Sequence, residues 1–281
     1  MVLKDGLLTK QMSIAFGKAE QECKQAGSPF LMPEHLLIGC LDDGSSTMKE
    51  AKQKCGIDID VLKKQYFLSY ENLSFERCEP LEIPISVTTK LVIEQAISYM
   101  RNYNQIYLNE GHVLKALIMT GQTEKILTQA QNNILLSVAT VSRDMYLDLT
   151  TYKKQKDVLS NIKMVNDRDA EGLVRFIIKE FGSRWTESIK LEFRKPQSSI
   201  FICKDQEGDI VGFAAFDIHQ PGHFGPMGVA KNKRAEGIGE SLLHVCLVRM
   251  QKRGYKEIVI DNAGPIEFYE KTCNAKVVPI K

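Results

Sequence analysis

The stretch "KRAEGIGESLL", residues 233–243, places Arg234, Gly237 and Gly239 at the mouth of what reads as a helix. These residue types suit anion binding. Glycines put no side chain in the way of a bulky anion, the first N–H groups of a helix have no intrahelical acceptor, and its positive end favours negative charge. Arg234 adds a cation. The chemistry would be capture of a phosphate or pyrophosphate; the spacing also allows a helix start with no ligand. A G-x-G-x-x-G dinucleotide fingerprint would need glycine at 242, which is Leu242, and no G-x-x-x-x-G-K-[ST] loop occurs.

Elements on either side must hold that loop in place. From residue 161 the pattern reads as a short strand "NIKMV", a helix "DAEGLVRFIIKEF" capped by Asp167, and a second short helix from Trp185 to Phe193. Two strands follow, "SSIFICK" (198–204) and "DIVGFAAFDIH" (209–219), joined by the turn "DQEGD". A third candidate, "HFGPMGVA" (223–230), is glycine-rich, as where backbone lies open. After the loop, Ile238, Leu242, Val245, Cys246 and Met250 make one helical face, with Arg249, Lys252 and Arg253 in the last turn before Gly254. "KEIVID" (256–261) is a buried strand, followed by the helix "PIEFYEKTC" and a last strand "KVVPI". The glycine pair thus sits between a strand and a long amphipathic helix, the setting in which helix N–H groups meet a pyrophosphate.

This array resembles the GNAT superfamily of acyl-CoA-dependent N-acyltransferases over residues 160–281. "MGVAKNKRAEGIGESLL" is similar to that family's strand, connector, R-x-x-G-x-G and helix, and "NAGPIEFYEK" (262–271) to its later segment with an Asn seven positions before a Tyr. The resemblance implies an α/β (α+β) fold with a mixed central sheet and direct attack of an amine on acetyl-CoA in a ternary complex. It implies that main-chain N–H groups around Arg234, Ala235, Gly237, Ile238 and Gly239 hold the cofactor's pyrophosphate. Met227 and Val229 would bond the pantetheine arm and polarise the thioester carbonyl, Asn262 would touch that arm, and Tyr269 would protonate the departing thiolate. The residues themselves also allow a packed aromatic at Tyr269 and a strand cap at Asn262. For a general base, Asp217, His219 and His223 flank the turn "HQPGH"; an imidazole suits neutral pH best, and His223 is the candidate. The family usually ends in two strands after the Tyr helix, whereas one follows it here, so either the sheet is shorter or another segment completes it.

The first half reads as helical and repeats. A shift of 77 residues places His35 on His112, Leu37 on Leu114, Ala19 on Ala96 and Ile14 on Leu91 without a gap. Such self-similarity predicts two copies of one four-helix unit in a single pseudo-twofold domain, connected by "FERCEPLEIPIS" (75–86). In the first helix, Ile14, Ala15, Ala19, Cys23 and Ala26 form the apolar face. "FLMPEHLLIGCL" followed by "CGID" resembles the Clp N-terminal repeat of bacterial Clp ATPases over about residues 5–145, here without ATPase modules. That implies a protein-binding module. Some relatives read phosphoarginine through the Glu of a T-E-H triplet; here Glu34 follows Pro33, and the second copy has Gly111, so that function is not carried over. His35 and His112 are expected to cap or pack inside their own copies.

The expected division is a helical domain over 1–148, a polar linker over 149–160 with a basic cluster at Lys153, Lys154 and Lys156, and the acyltransferase-like domain over 161–281. Two domains suit a chain of 281 residues. A net charge of +2 argues against nucleic-acid capture, and no apolar run has the length of a membrane span or, at "MVLKDGLLTK", of a signal peptide. Seven cysteines without C-x-x-C suit reduced thiols in a cytoplasm and no metal site. Expected partners are a small-molecule or peptide amine and a protein bound by the helical repeat. The competing function is a non-catalytic adaptor that senses acyl-CoA.

Overall fold

The computed structural model describes residue 3 and residues 6–65, 74–103, 105–153 and 158–279. Two compact units divide between Val141 and Ser142.

The first unit is helical: α1 (Lys10–Gln25), α2 (Pro33–Leu41), α3 (Ser46–Cys55) and α4 (Ile59–Gln65), then α5 (Val87–Asn102), α6 (Glu110–Met119) and α7 (Gln129–Ala139), with a two-stranded ladder of β1 (Phe75–Glu76) and β2 (Ile85–Ser86) between the copies. The 77-residue repeat holds at the level of single hydrogen bonds. Thr9 caps α1 by accepting from Met12 N, and its equivalent Ser86 caps α5 by accepting from Thr89 N. Thr9 N donates to Leu108 O, while Ser86 N donates to Leu31 O, the same bond with the copies exchanged. Each copy therefore pairs its first-helix entry with the other's second-helix entry, and the copies interlock around one apolar core. Gly39 lets α1 and α2 approach closely, since a Cβ there would lie 2.2 Å from the Ala15 carbonyl oxygen.

Two details depart from the repeat. The first copy has four helices and the second three among the described residues. Gly56, left-handed at φ +60°, separates α3 from α4; its equivalent Asn133 lies inside the unbroken α7. In α1 the buried face is Met12, Ala15, Phe16, Ala19 and Cys23, so Ile14 projects to solvent.

The second unit is a seven-stranded mixed sheet with two helical layers. It comprises β3 (Arg143–Asp148), β4 (Ile162–Met164), α8 (Ala170–Phe181), α9 (Thr186–Glu192), β5 (Ile200–Lys204), β6 (Ile210–Phe216), β7 (His223–Val229), α10 (Ile238–Lys252), β8 (Glu257–Ala263), α11 (Ile266–Cys273) and β9 (Lys276–Val277). The strand order is β4-β5-β6-β7-β8-β3-β9, antiparallel throughout except for β7 and β8. Leu242, Cys246, Leu247 and Met250 of α10 cover one face with Phe224, Ile260, Met145 and Leu147. Leu173, Phe176 and Ile177 of α8 and Ile189 of α9 cover the other with Ile200, Ile202, Phe213 and Ala215.

The boundary expected at 148 is corrected. Residues 143–148 form β3, which enters the second unit's sheet between β8 and β9; Met145 and Leu147 alternate inward with Asp144 and Tyr146 outward. This strand is the segment that completes a sheet left short at its C-terminal end. The expected linker is not a loose connector where it is described: Leu149 is buried, Gln251 donates to the carbonyls of Leu149 and Tyr152, and the Tyr152 hydroxyl bonds His244 Nδ1. Lys154 and Lys156 lie outside the described residues.

Candidate active site

The site begins where β7 and β8 part. They share only two rungs, His223 with Val259 and Phe224 with Ile260. Beyond these, each strand carries a bulge. On β7, Gly225 and Pro226 oppose the single Ala215 of β6. On β8, Asp261 and Asn262 oppose the single Asp144 of β3. A bulge bends its strand and increases the local twist, so two of them starting one residue past the last rung open a wedge. The sequence of β7 suits this: Gly225 takes φ +136° and Pro226 has no N–H to give a ladder.

Main-chain groups line the wedge. Ala230 N donates to Val211 O, and antiparallel pairs alternate between bonded and non-bonded. Gly228 therefore bonds β6, while the N–H groups of Met227 and Val229 turn toward the gap. The glycine at 228 has a packing reason, since a Cβ there would lie 2.4 Å from the Phe181 ring.

At the wide end of the wedge lies the 233–243 loop. A short 3-10 turn, Lys231–Lys233, leads into extended Arg234, whose Nε donates to Val229 O at 3.1 Å. Burial lowers the guanidinium's pKa and Glu180 opposes that shift. Ala235 (φ +68°) and Gly237 (φ +77°) are both left-handed, and exposed. Gly237 is the N-cap of α10 and offers no side-chain acceptor; the first intrahelical bond runs from Ser241 N to Gly237 O. Ile238, 5% exposed, pins the helix start to the core. A Cβ on Gly239 would lie 3.6 Å from Val229 Cγ2 and 3.7 Å from Phe268 Cζ. The room above Gly239 is thus bounded by β7 and α11, and the residues fit a pyrophosphate there: a backbone cradle with orphan donors, beside an arginine.

Tyr269 is buried on α11, edge-on to Phe224 at 6.3 Å and to Phe268 at 5.0 Å. It lies on the α10 side of the sheet, beneath the last shared rung. Burial pushes the phenol's pKa up, with the Cys273 thiol adding to the shift, so the hydroxyl keeps its proton. Asn262 is exposed, with φ +45°, at the β8 bulge, and its N–H donates to Asp144 Oδ1 at 2.9 Å. Asn tolerates this conformation better than most residues, so the backbone alone accounts for its type there.

His223 sits on the opposite face, its Nδ1 2.5 Å from Asp261 Oδ1. A carboxylate on Nδ1 fixes the ring and leaves Nε2 to accept a proton. The other base candidates are placed differently. Asp217 accepts from Gly222 N and pairs with Arg253 at 2.8 Å, holding the turn, and His219 is exposed within it. Asp261, Phe268 and Asp144 escape the sequence reading. The sole signal for Asp261 is its place in "IVID", where alternation turns it away from the buried isoleucines.

In the helical unit, His35 Nδ1 accepts from Met32 N at 2.9 Å and His112 Nδ1 from Asn109 N at 3.2 Å. Each histidine closes the start of its own second helix, as the repeat implied. Burial lowers both pKa values to about 4.

Comparison with known proteins agrees with this division. Residues 7–130 match the family model of the Clp repeat N-terminal domain, and residues 168–275 that of the acetyltransferase (GNAT) family. Among solved structures, the N-terminal domain of the caseinolytic protease associated chaperone ClpD from Arabidopsis thaliana is similar at 21% identity over 49% of this chain and 94% of that one, TM-score 0.41. A GCN5-related N-acetyltransferase from Sphaerobacter thermophilus is similar at 21% identity over 49% of each chain, TM-score 0.40. The GNAT family N-acetyltransferase YhbS from Escherichia coli, in complex with CoA, is similar at 16% identity over 37% of this chain and 62% of that one, TM-score 0.30. A search of the curated proteins returns no match.

Proposed function

From a chain that joins a Clp repeat N-terminal domain to an acetyltransferase domain of the GNAT family, we propose an acetyl-CoA-dependent N-acetyltransferase acting on a primary amine. One observation carries the reading: a backbone-lined wedge between β7 and β8 leads to the orphan N–H groups at the start of α10. Acetyl-CoA supplies the acyl thioester. The N–H groups of Gly237, Ile238 and Gly239, with those around Arg234 and Ala235, hold the pyrophosphate. Met227 and Val229 offer N–H donors to the arm and the thioester carbonyl, with Asn262 across the wedge. His223, oriented by Asp261, takes the proton that the attacking ammonium must lose. Tyr269, on the other face, gives a proton to the leaving thiolate. In this reading the base approaches the wedge from one face of the sheet and the acid from the other. The helical repeat recruits a protein partner.

The test is thiol release from acetyl-CoA with a panel of polyamines, aminoglycosides, amino acids and peptides. Tyr269→Phe is expected to slow turnover roughly a hundredfold with little change in CoA affinity. His223→Asn is expected to lower kcat/KM for the amine by a similar factor. Gly239→Leu fills the room beside Val229 and Phe268 and is expected to weaken CoA binding at least tenfold by calorimetry. Tight CoA binding with no release on any amine would replace the enzyme by an acyl-CoA sensor.

A further inference from the structure

The bulge on β8 is held by a residue from outside the acetyltransferase-type segment. Asp144 lies on β3, ahead of the matched residues 168–275. It is the single residue of β3 opposite Asp261 and Asn262. Its Oδ1 accepts from Asn262 N at 2.9 Å, and its carbonyl accepts from Val278 N at 2.9 Å, so it ties β8 and the chain just past β9 to one point. On one side of that point Met145 and Ile260 are a rung of the buried ladder; on the other, Arg143 meets Ala263. The residue that the carboxylate holds is the left-handed one, φ +45°. A bulge leaves one amide without a ladder acceptor; here a carboxylate supplies it through a charge-assisted bond, stronger than a neutral one. With that acceptor gone, only the buried residues on either side, Ile260 and Ala263, still favour two residues opposite one, and the Asn262 amide has no fixed partner. The bulge itself then loosens, and Asn262 and the edge of the wedge loosen with it.

We infer that Asp144 is a positioning residue for the cofactor wedge: by holding the Asn262 amide it fixes the bulge at which β8 leaves β7. The inference rests on reading that wedge as the CoA site. The geometry of the acetyltransferase domain is then set partly by the strand that follows the helical repeat in the chain.

The experiment uses the full-length protein and two readouts, hydrogen exchange at the Asn262 amide and the Kd for CoA by calorimetry. Asp144→Ala is expected to speed exchange at Asn262 at least tenfold and to weaken CoA at least tenfold. Asp144→Asn keeps an Oδ1 acceptor and is expected to keep both readouts within about threefold of wild type. CoA affinity unchanged in Asp144→Ala while the Asn262 amide exchanges freely would overturn the inference, as would equal losses in both variants. If Asp144→Ala does not fold, Asp144→Ser, whose side chain ends one bond short of the Asn262 amide, takes its place with the same expected losses and the same overturning results. Wild-type protein that binds no CoA would defeat the functional reading instead, and the exchange data would still report whether Asp144 holds the bulge.

Discussion

At the scale of single residues, backbone conformation decides as much as side-chain chemistry. Ala235 occupies the left-handed region at φ +68°, where a Cβ costs roughly 1–2 kcal/mol. Ala235→Gly is therefore expected to stabilise the protein by about 1 kcal/mol, read as a rise in thermal midpoint. No rise would mean that the turn carries no strain. Gly237, at φ +77°, has open space where its Cβ would be, so a side chain there is strained without being crowded. A loss of CoA binding in Gly237→Val would mix backbone strain with obstruction. Gly239, where a Cβ meets ordinary contacts, separates the two effects, and for that reason it is the better probe of the cradle. Tyr269 packs against Phe224 and Phe268, and burial keeps its phenol protonated, so packing does not stand against the acid role proposed for it.

At the scale of elements, α2 and α6 begin in the same way, with a histidine in the first turn accepting from the N-cap amide. Their depressed pKa values give this arrangement a pH dependence with a definite sign. An unfolded histidine takes up a proton near pH 6.5, whereas His35 and His112 in the fold do so only near 4. Between those limits the unfolded state binds more protons. Stability should therefore be fully present above about pH 6.5 and fall on acidification, by up to about 1.4 kcal/mol per pH unit for each histidine. Denaturant titrations of the protein from pH 7 to 4.5 read the slope. His35→Gln with His112→Gln, which cannot titrate, should flatten it; an equal slope in the double variant would refute the assignment. The two rungs shared by β7 and β8 are the matching case in the sheet, where the opening comes from the pairing that the two strands stop making.

For the whole molecule, β3 makes the acetyltransferase unit depend on chain that a family match beginning at residue 168 does not include. Removing it with the residue that follows exposes the partners of Met145, Leu147 and Leu149, each worth about 1.5–3 kcal/mol when fully buried. That sum approaches the total stability of an ordinary domain. A fragment of residues 161–281 is expected to lack a cooperative melt, and one of residues 142–281 to show it. Cooperative folding of the shorter fragment would show that β3 is dispensable. Among the described residues no helix is long and apolar enough to cross a membrane. The 77-residue repeat, the strand–loop–helix around Gly237 and Gly239, and the helix bearing Tyr269 were all legible in the sequence, because periodicity and capping are local properties of a chain. The role of residues 143–148 was not: the sequence reading leaves them at the end of the helical domain, since a six-residue alternation does not say which edges a strand will join. The His223–Asp261 contact and the Asp144–Asn262 bond span 38 and 118 residues and leave no pattern at that distance. By itself the sequence determined two kinds of domain and a backbone loop suited to a pyrophosphate. Tertiary structure decided which strand completes the sheet, where two strands part, and which carboxylate meets the bulge there, because register and pairing are fixed only when distant segments bury their apolar faces together.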